Sequence, residues 1–294
     1  MFVKAIEEVS HYTRPIHTIM RSYGSNKVFP GASTLFFVND EGDAITCRHV
    51  AELLIKAEQI NQQYLLFTQA RFRLKNDEMH QANLAEIEAQ FSFAKESIVQ
   101  IKYFFPGLFD NITGFEIKSH PVHDLAWIHF KGFQKKFYSG HARFYNSETP
   151  VKQGKSLCRL GFPFPEFSNF NYNYQADDIE WTREGNPNSP IFPIDGIVTR
   201  HLVFNGKVVG LEMSTPGLRG QSGGPLFDAD GVVYGMQSST RHLHLGFDLE
   251  NFEIHMGSQS KRITNTPFLH VGQCVHVDVI KEFLTEQGVK YSVA

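Results

Sequence analysis

The run Gly220-Gln221-Ser222-Gly223-Gly224-Pro225 sets a serine among glycines, the composition of a tight turn that holds a side chain out to solvent. In such a turn the backbone N–H groups of Gly220 and Ser222 face the side of the Ser222 hydroxyl and converge on one oxygen atom. Two main-chain donors aimed at one oxygen form an oxyanion hole, which stabilises the charge of an acyl-transfer intermediate. Glycine-serine strings also occur in linkers and plain turns, so this assignment needs support from the rest of the chain.

A serine hydroxyl is a poor nucleophile until a general base takes its proton and a third group fixes the tautomer of that base. The chain has 14 histidines, so a histidine alone decides nothing. His49 stands apart by context. The apolar run 34–38, the turn 39–43 and the segment Ile45-Thr46-Cys47-Arg48-His49-Val50 read as a β-hairpin whose second arm ends at His49, just before a helical pattern. For the third group, Asp124 leads directly into the apolar strand Leu125-Ala126-Trp127-Ile128, where a carboxylate can be buried with one strong partner. Asp43 and Asp110 compete without that setting, and an ordinary turn acid is the plain alternative for Asp124.

In the order His, Asp, Ser, the blocks ITCRHV (45–50), DLAWI (124–128) and GQSGGPLFD (220–228) resemble the three catalytic blocks of trypsin-like serine proteases of the chymotrypsin fold. The bacterial HtrA/Deg-like core is the nearest likeness. Segments 160–164 (LGFPF), 196–199 (GIVT) and 231–237 (GVVYGMQ) resemble further parts of it, so the resemblance covers most of the chain from 30 to 240. It implies a serine endopeptidase with two six-stranded antiparallel β-barrels and a protein or peptide substrate. By the same resemblance His49 is the general base, Asp124 its orienter and Ser222 the nucleophile, with Gly220 and Ser222 as oxyanion donors. Activity is then expected to fall as His49 takes up a proton. Pro216, Gly217, Leu218 and Arg219 would line the pocket for the residue before the scissile bond, with Ser238, Ser239 and Thr240 as the facing wall. No Asp stands where a preference for Arg or Lys needs one, so the expectation is an uncharged, small-to-medium apolar residue. Arg219 reaching into the pocket to favour an acidic residue is the competitor. Gln221 replaces the Asp found in zymogen-activated trypsins, so activation by trimming is not expected, nor is a PDZ-like region after the core.

A net charge of −3 with no Lys/Arg run offers no nucleic-acid surface. No run approaches the roughly 18 apolar residues of a membrane span. Lys4, Glu7 and Glu8 interrupt any apolar leader, and the expected location is the cytoplasm. Cys47, Cys158 and Cys274, odd in number and widely spaced, are expected as reduced, buried thiols. His242-Leu243-His244 puts two imidazoles on one strand face without a third ligand at a plausible spacing, so no metal or cofactor is expected.

Short strands punctuated by Gly, Pro, Asn and Asp are read at 34–38, 44–48, 98–105, 113–119, 125–130, 156–161, 196–204, 207–213 and 231–237. Asn205-Gly206 between two apolar runs marks a type I′ hairpin. The chain divides into a barrel over 1–145 carrying His49 and Asp124 and a barrel over 146–294 carrying Ser222, with the site in the cleft between them. Residues 51–96 break the β pattern. Leu53, Ala57, Ile60, Tyr64 and Phe67, then Leu84, Ile87, Phe91 and Ala94, recur at helical spacing around a polar turn at Lys75-Asn76-Asp77. This helical hairpin either packs its apolar face on the barrel or serves as a lid, a self-association contact or a docking surface for a regulatory partner. Segment 165–195 reads as a long irregular loop bordering the cleft, and 277–287 as a closing helix stopped by Gly288. Three other functions fit the same residues. They are an esterase with this machinery, a binding or scaffold protein that has lost the chemistry, and a protease held inactive by 51–96 or 165–195 until a partner binds.

Overall fold

A computed structural model describes residues 2–73, 80–257 and 259–294. Helix α1 (Val3–Ser10) precedes β1 (Thr13–Ser22), β2 (Val28–Phe37) and β3 (Asp43–Thr46). Helices α2 (Arg48–Arg73) and α3 (His80–Gln90) follow, then β4 (Ile98–Phe104), β5 (Gly114–Ser119) and β6 (Ala126–Lys131). The six strands pair antiparallel in the order β4-β1-β2-β3-β6-β5. That order is open. Among the described residues β4 and β5 end the sheet without pairing to each other, so this half of the protein is a half-barrel and not the closed barrel expected.

The insertion accounts for the opening. α2 packs on β4, where the Asn61 amide donates to Ile101 O at 2.7 Å and Asn61 Oδ1 accepts the Ile101 N–H at 2.9 Å. A side chain thus does at this edge what a neighbouring strand would do in a closed barrel. The buried face of α2 is Val50, Ala51, Leu54, Ala57, Tyr64 and Phe67, one residue off the expected stripe at its start. Tyr64 and Phe67 pack with Val99 and with Leu84 and Ile87 of α3, so the helical pair carries its apolar side inward. α3 stops at Gln90, short of Ala94. The turn at Lys75-Asn76-Asp77 lies outside the described residues.

The second sheet is built from β7 (Arg143–Phe144), β8 (Ser156–Gly161), β11 (Phe192–Phe204), β12 (Lys207–Met213), β13 (Pro225–Phe227), β14 (Val232–His244), β17 (Phe268–His276) and β18 (Ser292–Val293). Six of these close a ring in the order β13-β8-β11-β12-β17-β14, with β13 pairing back onto β14. β7 and β18 join outside the ring in parallel, so the sheet is not wholly antiparallel as expected. Asn205 and Gly206 turn β11 into β12 with φ of 48° and 78°, the left-handed pair that a type I′ turn requires. α4 (Val277–Glu286) is capped by His276, whose Nδ1 accepts the Asp278 N–H. One apolar core crosses both sheets, with Phe36, Ile45 and Ile128 in the same cluster as Leu160, Phe227 and Met236.

Two hairpins stand outside these sheets: β9 (Phe170–Asn173) with β10 (Asp178–Trp181), and β15 (Leu249–Met256) with β16 (Gln259–Asn265). The first interrupts the irregular loop expected over 165–195, and β11 takes its end from Phe192. Asp177 in its turn accepts from Arg21 at 3.1 Å, Arg71 at 2.9 Å and Tyr64 OH at 2.8 Å, which ties this hairpin to β1 and α2. No described helix is long and apolar enough to cross a membrane. All three cysteines are free and buried, as expected.

Candidate active site

Ser222 sits in a turn that only glycine can make. Gly220 and Gly223 have φ of +98° and +89°. A Cβ on Gly220 would lie 2.5 Å from Phe162 O, and one on Gly223 would lie 2.0 Å from Thr34 O. The first sheet grips this turn through Thr34 of β2, whose Oγ1 donates to Gly220 O at 2.8 Å and whose N–H donates to Ser222 O at 3.0 Å. From the other side comes Gln221, fully buried, with Oε1 accepting Leu218 N–H at 3.0 Å and Nε2 donating to Phe192 O at 3.1 Å. A neutral amide therefore braces the loop from within the fold. Within the turn the N–H groups of Gln221, Gly223 and Gly224 bond to Leu218 O, Gln237 O and Gln221 O. Among the described residues those of Arg219, Gly220 and Ser222 take no acceptor inside the chain.

His49 lies in the first turn of α2, which begins directly after β3. Its Nδ1 meets Asp124 at 2.9 Å (Oδ2) and 3.0 Å (Oδ1), and its own N–H donates to Oδ1 at 3.0 Å. The segment before Asp124 is folded on itself by His120, whose Nδ1 accepts the N–H groups of Val122 and His123. Arg48 holds it from the helix side through Pro121 O at 3.0 Å. A third donor reaches Asp124: Ser238 Oγ at 2.6 Å. Burial raises the Asp124 carboxyl, but the bonds from His49 and Ser238 outweigh it and hold it down at about 2. With Nδ1–H given to a carboxylate, Nε2 is left with the lone pair, the tautomer a general base needs.

Ser238 also binds Ser222. The Ser222 hydroxyl donates to Ser238 O at 3.4 Å, and among the described residues it makes no hydrogen bond to His49. The structure thus joins His49 to Asp124 directly and Ser222 to Asp124 through Ser238. The competing acids are engaged elsewhere: Asp43 with Trp127, His129 and Asn39, and Asp110 with the N–H groups of Asn111, Gln134 and Lys135.

A cavity of about 460 Å³ opens beside Ser222, and Pro216, Gly217, Leu218, Arg219, Ser238, Ser239 and Thr240 all line it. Gln237, His242 and His270 line it as well. The sequence reading missed these three, and it placed Ser238 in the wall without its bond to Asp124. None of 165–195 lines this cavity. A larger cavity of about 720 Å³ is lined by His120, His123, His201 and His276 and contains none of the three candidate catalytic side chains.

Cys47, His49 and Asp124 each place a donor atom within 4.8 Å of the others. They make a poor metal site. Burial and the nearby Asp124 push the Cys47 thiol well up, and its Sγ–H is given to Gln237 O at 3.2 Å, so no thiolate is presented.

No protein-family model matches the chain, and no curated protein matches it. Among solved structures the chain has a distant similarity to one described as "Crystal structure of Rv3671c protease from M. tuberculosis, active form". The TM-score is 0.47 and the sequence identity 12%, over 99% of this chain and 86% of that chain.

Proposed function

We propose that this chain is a serine endopeptidase that cleaves peptide bonds through an acyl-enzyme on Ser222. The observation that carries the reading is Ser238, which holds the His49–Asp124 pair through its hydroxyl and the Ser222 hydroxyl through its carbonyl. For attack, the Ser222 hydroxyl leaves Ser238 O and is taken up by His49 Nε2. His49 then takes the proton as Oγ attacks the peptide carbonyl, and the N–H groups of Gly220 and Ser222 receive the oxyanion. The imidazolium, steadied by Asp124, gives its proton to the leaving amine as the C–N bond breaks. Water attacks the acyl-serine with His49 again as base, releasing the acid and restoring Ser222.

A peptide is favoured over a compact ester by the sheet edge beside the serine. β14 pairs with β13 through Met236 and Gly235, and beyond Gln237 only its β17 side is paired among the described residues. The other edge, from Ser238 onward, is open to an extended chain that adds as a strand. The resting position of the Ser222 hydroxyl favours a second reading within the same chemistry, a protease that completes its triad when substrate or a partner binds. His49 belongs to α2, so a partner on the helical pair has a rigid connection to the base.

The test is digestion of a denatured protein by wild type, Ser222→Ala and His49→Ala chains, with new termini identified by mass spectrometry. The reading expects each substitution to lower cleavage by about 10³-fold or more. Equal cleavage by Ser222→Ala would overturn it.

A further inference from the structure

Behind the cleft wall lies a guanidinium without a counter-ion. Arg159 of β8 has 0% of its surface exposed. Its Nη1 donates to Gln237 Oε1 at 2.7 Å, and its Nη2 to Thr215 O at 3.0 Å and Thr215 Oγ1 at 2.5 Å. Nε has no partner. Every acceptor is neutral, and arginine keeps its proton in a protein interior. A buried unpaired charge is costly to maintain, and its field is weakly screened there.

The position of Arg159 gives that field a direction. Thr215 immediately precedes the cleft residue Pro216, and Gln237 lines the cleft itself. A Cβ on Gly272, two residues past the lining His270, would lie 2.1 Å from Arg159 Nη1. The guanidinium therefore backs all three chain segments that wall the cavity. The mouth carries a second guanidinium and two imidazoles. Arg219, His242 and His270 line it, the two imidazoles stand opposite each other in the β14–β17 ladder, and their Nδ1 atoms meet at 2.5 Å. No lining residue is acidic.

We infer that the cleft beside Ser222 takes an acidic side chain, the carboxylate of Glu or Asp at the residue before the scissile bond. Arg159 sets the positive field of the pocket, and Arg219 and the free imidazole N–H of the His242–His270 pair supply donors at its mouth. This rests on Ser222 being the nucleophile, and it replaces the apolar preference expected from the sequence. An aliphatic side chain would fill the cavity without answering the buried charge.

The experiment measures second-order labelling rates of the full chain with four peptidyl diphenyl phosphonates that differ only in carrying a Glu, Gln, Leu or Arg side chain at the phosphonate residue. A small alkyl fluorophosphonate is the probe for the nucleophile itself. The Glu probe is expected to react at least about tenfold faster than its neutral isostere Gln, and faster still than Leu or Arg. In an Arg219→Ser, His270→Gln chain, and separately in Arg159→Gln, the Glu-to-Gln ratio is expected to fall towards one. Because a ratio is read, loss of overall rate in either variant leaves the comparison intact. Leu or Arg reacting as fast as Glu while the fluorophosphonate labels Ser222 overturns the acidic pocket and leaves the nucleophile standing. A ratio unchanged in both variants overturns the role given to these side chains. No labelling by any probe overturns the nucleophile and the pocket together.

Discussion

Asp124 takes hydrogen bonds from the His49 backbone, the His49 ring and the Ser238 hydroxyl, and its pKa is held at about 2. An unfolded Asp titrates at about 3.9. The native carboxyl is depressed, so the stability it contributes is fully present above the unfolded value and is lost as pH falls through the folded one. Asp124→Asn removes that titration. Urea midpoints of wild type and Asp124→Asn measured from neutral pH to about pH 2 should converge on the acid side, with wild type losing more stability below about pH 4. Parallel profiles would contradict the depressed carboxyl. At this scale the sequence carried the glycine turn, His49 and Asp124, because each sat in a local pattern of distinct composition. Thr34, Gln221 and Ser238 were not legible as supports of the site, since a hydroxyl or amide gains its role from a partner distant in sequence. Thr34 lies 186 residues from Gly220, and Ser238 lies 114 from Asp124.

Among the elements, α2 has two duties: its first turn holds His49, and its middle covers the free edge of β4 through Asn61. Asn61→Leu keeps the size of the side chain and removes both bonds to Ile101. The loss should destabilise the fold by about 1–3 kcal/mol and speed exchange of the Ile101 amide. Unchanged stability and unchanged Ile101 exchange would mean that the edge does not depend on this side chain. The helical pair was readable because its apolar residues keep a helical period. β1 was not, because Arg14, His17 and Arg21 interrupt its apolar residues. His17 and Arg21 are buried all the same, Arg21 bonding Gln100 Oε1 and Asp177. Polar side chains buried inside the fold erase the alternation by which a strand is recognised. The half-barrel had the same cause: closure is a pairing between ends of a sheet, and the sequence of β4 does not say whether a strand or an asparagine will meet it.

Across the molecule, a half-barrel and a six-strand ring share one core, and the candidate site draws on both. His49 comes from the first turn of α2 and Asp124 from the turn before β6, while Ser222 lies in the turn before β13 and Ser238 in β14 itself. The turn that holds Ser222 is itself tied across by Thr34. The most direct measurement of the central claim is the reaction of purified chain with an alkyl fluorophosphonate, followed by intact mass and peptide mapping. The account predicts a single adduct on Ser222 in wild type, and none in His49→Ala over the same time. An adduct formed equally fast without His49, or a folded wild type that takes up none, would contradict it.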